Sequence, residues 1–277
     1  MKKIFLAAAV AAAFYTADAQ QLRTPAASPT TTVKQDFALS SIEINYSRPG
    51  KKGRNIFGDL VPFGKVWRTG ANNATVITFG EDVMVGNTKV PAGKYGLLTI
   101  PEATEWTVII SKQTDVTSPA SYKQEMDVAR VKVPVSTLPF SVETFTIGID
   151  NMTSNSCDIG LLWDNVYVAV PVKADIDSKI MAQIKNIMEG DTKPYFAAAM
   201  YYMDNGKDLN KALEWLNKAE EQNPNAFWVV HQKAKCLAKL GKKNEARDAA
   251  IKSKDMAKKQ QNDDYVKLND ELLKTLN

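Results

Sequence analysis

One histidine, two cysteines and no apolar run of membrane-spanning length are the scarcities of this 277-residue chain. A lone His231 rules out a two-histidine zinc site and leaves no histidine-bearing triad elsewhere. It follows Val230, with Ala234 at the next turn, the setting of a helix-packing imidazole. Extended basic tracts interleaved with base-stacking aromatics are missing, which excludes nucleic acid as a partner. Asp158, Asp164, Asp175 and Asp177 lack the close spacing and central glycine of a calcium loop. No metal or cofactor is implied. With 44% hydrophobic and 24% charged residues, disordered, collagen-like and disulfide-knot classes are also excluded.

The longest apolar stretch, Ile4 to Tyr15, covers about 12 residues where a span needs ~20. Lys2 and Lys3 precede it and Ala17-Asp18-Ala19 follows, the pattern of a cleaved export signal. Residues 1–19 are therefore expected to be removed, leaving a mature chain from Gln20 with no transmembrane segment, in the periplasm or outside the cell. Cys157 and Cys236 fall in differently patterned halves, each within an apolar-patterned stretch, so two buried free thiols are expected despite export.

Residues 20–33 carry Pro25, Pro29 and several threonines and read as a flexible leader. From 34 to 172 the period is two. Ile42, Ile44 and Tyr46 alternate with Glu43 and Asn45, and Phe145, Ile147 and Ile149 with Thr144, Thr146 and Gly148. Further strands are expected at 74–79, 82–90, 95–100, 105–111 and 128–135. Asp164-Asn165 offers a two-residue hairpin turn between 157–163 and 166–172, and Pro171 suits an edge. Short antiparallel strands at this spacing predict a β-sandwich or flattened barrel.

Beyond residue 175 the spacing becomes helical, with Ile176, Ile180, Ile184 and Ile187 at three- and four-residue steps. Placing Ala212 on Ala246, Leu216 on Ala250 and Ala219 on Ser253 gives a period of 34, which resembles the tetratricopeptide repeat. Two degenerate units, 193–226 and 227–260, are expected between a leading helix at 175–190 and a terminal one at 262–276. The predicted fold class is α+β by domain: an antiparallel β domain over 34–172, then an all-α tetratricopeptide-like domain over 175–277.

Positive charge is concentrated between Tyr46 and Asn73. Arg48, Lys51, Lys52, Arg54, Lys65 and Arg68 face Asp59 alone there, a net of +5 against +4 for the whole chain. Three of the six arginines lie in this window, and arginine's planar fork suits carboxylate or phosphate oxygens. One reading is an anion site. The other is a long Gly- and Pro-rich connection whose arginines bond backbone carbonyls or Glu43, Asp127 or Glu143, with Trp67 and Phe63 plugging the end of the sandwich.

The block YSRPGKKGRNIFGDLVPFGKVWRTGANNATVITF, with VPAGKYGLLTIP, EWTVII, YKQEMDVARVKV, FTIGIDN and LLWDNVYVAVPV, strongly resembles domain-of-unknown-function family 2911, exported proteins of Bacteroidota and relatives. The resemblance covers roughly 34–172 and nothing helical. Its pattern falls on Tyr46, Arg48, Pro49, Arg54, Phe57, Gly58, Trp67, Arg68, Gly70, Ala71, Asn72 and Thr75, then on Asp127 and Arg130, without assigning them roles. The candidate ligand-binding set is Arg48, Arg54, Trp67, Arg68, Asn72 and Asp127, and no catalytic residue is assigned. Three functions stay open. The first is a non-catalytic binding module for an anionic small molecule, glycan or peptide, with a protein partner on the helical domain. The others are an envelope hydrolase using a carboxylate beside Arg48 or Arg68, and a structural assembly component.

Overall fold

The computed structural model describes residues 24–190 and 192–276; the expected signal at 1–19 lies outside them. These residues form an α+β chain that separates between Asp175 and Ile176 into a β unit and a helical unit.

Nine strands make one antiparallel sheet: β1 (Thr30–Phe37), β2 (Ser40–Ser47), β3 (Thr75–Phe79), β4 (Val83–Val85), β5 (Thr88–Val90), β6 (Gly93–Ile100), β7 (Glu105–Ser111), β8 (Asp127–Asp150) and β9 (Ser156–Ala174). Their order across the sheet is β1-β2-β3-β6-β7-β8-β9-β4-β5. The first half of β8 pairs with β7 and the second half with β9, so one strand carries the sheet round a corner. Both faces then meet. Tyr46 of β2 donates its hydroxyl to the Ile147 carbonyl of β8 at 3.3 Å and accepts the Ile147 amide at 2.8 Å. Trp106 of β7, Phe145 of β8 and Trp163 of β9 bury their rings in one aromatic cluster. Alternation does the sorting, since Ile42, Ile44 and Tyr46 are buried while Glu43 and Asn45 are not.

Three expectations need correction. Residues 30–33 are not leader but strand, because the β-branched Thr30, Thr31, Thr32 and Val33 pair with Ser47, Tyr46, Asn45 and Ile44. Asp164-Asn165 is not a hairpin turn: β9 runs on through it, with Asp164 at φ +53° opposite Val142, where the β8–β9 register shifts. The same tolerance of a left-handed backbone that suits aspartate to a turn suits it to a bulge. Pro171 is not on an edge strand, since β9 lies between β8 and β4. The β8 ladder has ended at Val168, however, so proline's missing N–H leaves no bond to β8 unmade.

Among the described residues the helical unit holds six helices: α1 (Asp177–Met188), α2 (Tyr195–Asp204), α3 (Leu209–Gln222), α4 (Phe227–Lys239), α5 (Lys243–Lys259) and α6 (Asp263–Thr275). Gly206 and Gly241, at φ +64° and +75°, follow α2 and α4 where a left-handed residue closes a helix. Asp208 caps α3 and Asn262 caps α6 through backbone amides of their first turns. Small buried residues such as Ala198, Ala212, Ala219 and Ala246 let the helices approach closely. Among the described residues no helix is long and apolar enough to cross a membrane.

Candidate functional site

The connection from β2 to β3, residues 48–74, is pinned along its length. Pro49 and Lys51 bond β8, through Phe145 N to Pro49 O at 2.9 Å and Lys51 N to Glu143 O at 2.7 Å. Further on, Trp67 exchanges backbone hydrogen bonds with Thr99 of β6 at 2.7 and 2.9 Å. This flank of β6 is open because β3 begins only at Thr75, opposite Leu97. Between these anchors Ile56 and Val61 are buried pegs, and the Phe57 ring meets Trp67, Trp106 and Trp163 edge-on. The Trp67 ring stacks on Trp163 at 6.0 Å and 17°. Trp67 is therefore a plug of the sandwich end, as the second reading had it. Phe63 is not: it is 40% exposed, and Phe57 fills that place.

The six candidate residues separate by what holds them. Arg48 gives Nε to the Phe145 carbonyl at 3.2 Å and Nη2 to Thr146 Oγ1 at 2.8 Å, so it fastens the connection to β8. Asn72 donates to Ser28 O at 3.2 Å and Ser47 Oγ at 3.3 Å, and fastens the start of β1. Asp127 accepts from the Tyr122 hydroxyl and, at 2.8 Å, from Arg130. Burial, with the hydrogen bond to Asp127 next, pushes the Tyr122 hydroxyl up to about 12, so it stays a donor at neutral pH. None of these three lines a cleft with the others.

Arg54, Trp67 and Arg68 do come together, around a cleft of about 400 Å³. Thr117, Ser118 and Pro119, from the connection between β7 and β8, also line it. Arg54 holds Gly50 O at 2.6 Å and Lys51 O at 3.0 Å through Nη2 and Nε, and Arg68 reaches the Thr117 carbonyl through Nη1. The arginines thus bond carbonyls and none of the three acids expected as partners. Lys51 is the cation that finds an acid, Asp164 at 2.6 Å. Burial pushes the Asp164 carboxyl up, but hydrogen bonds from Lys51 and Ser141 outweigh it and leave the pKa below the usual range.

The cleft retains spare donors. Among the described residues Arg54 Nη1, Lys65 Nζ and Arg68 Nη2 have no partner, and Arg68 Nε is buried without one. Among the described residues no aspartate or glutamate is in the lining. Beside Arg68 the backbone is strained: Thr69, buried and β-branched, stands at φ +54°, which costs about 1–2 kcal/mol. Thr69 is held there by Thr99 Oγ1 at 3.2 Å and by Thr75 Oγ1, which donates to its carbonyl at 2.5 Å. Strain that the surroundings over-determine collects at functional sites.

Lys65, Trp163 and Thr117–Pro119 escaped the candidate set. Lys65 stood in the charged window and could have been taken from it. Trp163 arrives from β9 and Thr117–Pro119 from the β7–β8 connection, both far along the chain, and nothing local to them signals a site. Among the described residues no group of three or more His, Cys, Asp or Glu gathers as a metal site would require.

A family model described as Protein of unknown function (DUF2911) matches residues 28–172, just over half of the chain. The chain belongs to this family. The match begins at Ser28, which lines the cleft, and takes in every other lining residue as far as Trp163. The six helices lie beyond it. No curated protein and no solved structure matches the chain.

Proposed function

We propose that this is an exported, non-catalytic binding protein whose β unit captures an anion in the Arg54–Lys65–Arg68 cleft and whose helical unit holds a protein partner. The observation that carries the first part is three cations lining one small cleft with no carboxylate among them. Like charges gathered without counter-charges repel one another, and an anionic ligand relieves that cost. Catalysis through this cleft finds less support: its hydroxyls, Ser28, Thr117 and Ser118, have no histidine or carboxylate beside them in the lining to act as base.

The helical part of the proposal leans on the 34-residue offset. Ala212, Leu216 and Ala219 of α3 and Ala246, Ala250 and Ser253 of α5 are buried alike, as the tetratricopeptide-like alignment requires. Repeat surfaces of this kind commonly serve association. Export rests on the first nineteen residues and predicts a mature amino terminus at Gln20, readable by mass spectrometry.

The test of the anion site is calorimetric titration of the full mature chain with acetate, benzoate, citrate and inorganic phosphate. At least one should bind, and Arg54→Ala combined with Arg68→Ala should abolish that binding while the fold persists. Binding that survives in the double variant means the site is elsewhere.

A further inference from the structure

We infer that the cleft takes an amphipathic carboxylate, a single carboxylate head on a compact apolar or aromatic body, and not a polyanion or a neutral sugar. The inference rests on the anion-binding reading above and adds two observations to it.

The first is which donors of Arg68 are left without a partner. Nη1 is committed to the Thr117 carbonyl, whereas Nε and Nη2 have no partner among the described residues. Nε is buried and offers no surface a ligand could reach, so the carboxylate head is met by Nη2, with Arg54 Nη1 and Lys65 Nζ as the further unpaired donors of the lining. The bond to Thr117 holds the guanidinium in advance, so less freedom is lost when the ligand arrives.

The second is the chemistry beside the charge. Pro49, Leu60, Pro62, Val66, Trp67 and Pro119 give the cleft apolar walls. Leu60 is 44% exposed, an apolar side chain left in water at the rim. A polyanion laid against these walls would lose hydration from oxygens that find no donor there. A neutral sugar would leave Arg68 Nη2, Arg54 Nη1 and Lys65 Nζ without a charged partner and find only Ser28, Thr117 and Ser118 as neutral side-chain hydroxyls. The volume of about 400 Å³ lies near the small end of small-molecule sites, about 300–1,000 Å³, which suits one compact body and not a chain of sugar rings.

The experiment is calorimetric titration of the full mature chain with indole-3-acetate, its neutral isostere indole-3-acetamide, acetate, citrate and inorganic phosphate. Indole-3-acetate should bind at least tenfold more tightly than each of the other four. Arg68→Lys, which keeps the charge but removes the Nη2 donor held in place by the Thr117 bond, should weaken indole-3-acetate severalfold. Leu60→Ser, at the exposed rim, should weaken indole-3-acetate severalfold without moving the thermal midpoint, and it serves if Arg68→Lys does not fold. Tighter binding of citrate or phosphate, still lost with Arg54 and Arg68, overturns the amphipathic class and leaves the anion site standing. Equal binding of the acetamide overturns both readings, as does binding of none of the five.

Discussion

The Nδ1 atom of His231 lies 2.8 Å from the amide oxygen of Asn269, and both side chains are buried between helices of the C-terminal unit. Asn269 passes its amide hydrogens to Ser253 Oγ at 3.0 Å and Tyr265 O at 2.7 Å, and Ser253 donates to the Phe227 carbonyl at 2.8 Å. This chain ties α4, α5 and α6 and asks of His231 only a neutral N–H. Burial lowers the imidazole pKa; the Asn269 bond opposes this, and Lys235 adds to the lowering. The folded protein therefore binds the proton less readily than the unfolded one. Stability of the helical unit is fully present above the ordinary histidine value of about 6.5 and falls as pH drops from there through the lowered folded value. Urea titrations at pH 7.5 and pH 5 should show that loss, and His231→Gln should remove this contribution to the difference.

Arg48 should behave oppositely to Arg54 and Arg68. Arg48→Ala breaks two hydrogen bonds from a charged, half-buried side chain to β8 and should cost about 1.5–3 kcal/mol of stability. Affinity for whichever anionic probe binds should then stay within twofold. Arg68→Ala should do the reverse, losing the ligand with a smaller change in the urea midpoint. Equal loss of affinity in both variants would contradict the separation of roles.

Gly70 stands at φ +154°, where a Cβ would meet the Ser47 carbonyl oxygen at 2.9 Å, a backbone atom that cannot swing aside, and the Thr75 hydroxyl at 3.2 Å. Gly70→Ala should cost about 1–3 kcal/mol and disturb Trp67, whose indole N–H donates to the Gly70 carbonyl at 3.0 Å. Gly53, at φ +70° with open space around it, is the control. Its alanine variant meets only the left-handed backbone penalty of about 1–2 kcal/mol and should leave tryptophan fluorescence unchanged.

Both cysteines are free and buried. Burial, with the Asp158 charge next, pushes the Cys157 thiol up to about 11, and burial also raises Cys236. Because the thiolate is the reactive form, a thiol reagent at pH 8 should label neither residue in the native protein and both in denaturant.

The features legible in the sequence were those with a local cause. The alternation of Ile42, Ile44 and Tyr46 marked β2, and the three- and four-residue steps of Ile176, Ile180, Ile184 and Ile187 marked the change to helix, since burial on one face imposes its own period. Charge density found Arg54 and Arg68. What failed depended on partners far along the chain. Asp164-Asn165 has the same chemistry in a turn as in a bulge, and only the position of β8 decides between them. Arg48 and Arg68 look alike as letters, yet Arg48 faces a strand with open carbonyls and Arg68 faces a cleft. The wall at Thr117–Pro119 is set by the β7–β8 connection, whose residues carry no motif.

The turning of β8 from one neighbour to another has a consequence for how the β unit comes apart. From Asp127 to Pro134 its backbone is bonded to β7, and from Val135 to Asp150 to β9, with no break in the covalent chain between. It is a common spine, so prying open either layer strips hydrogen bonds from the other. Amide exchange in β2, β7 and β9 should accordingly proceed through one shared opening, with a single free energy for all three.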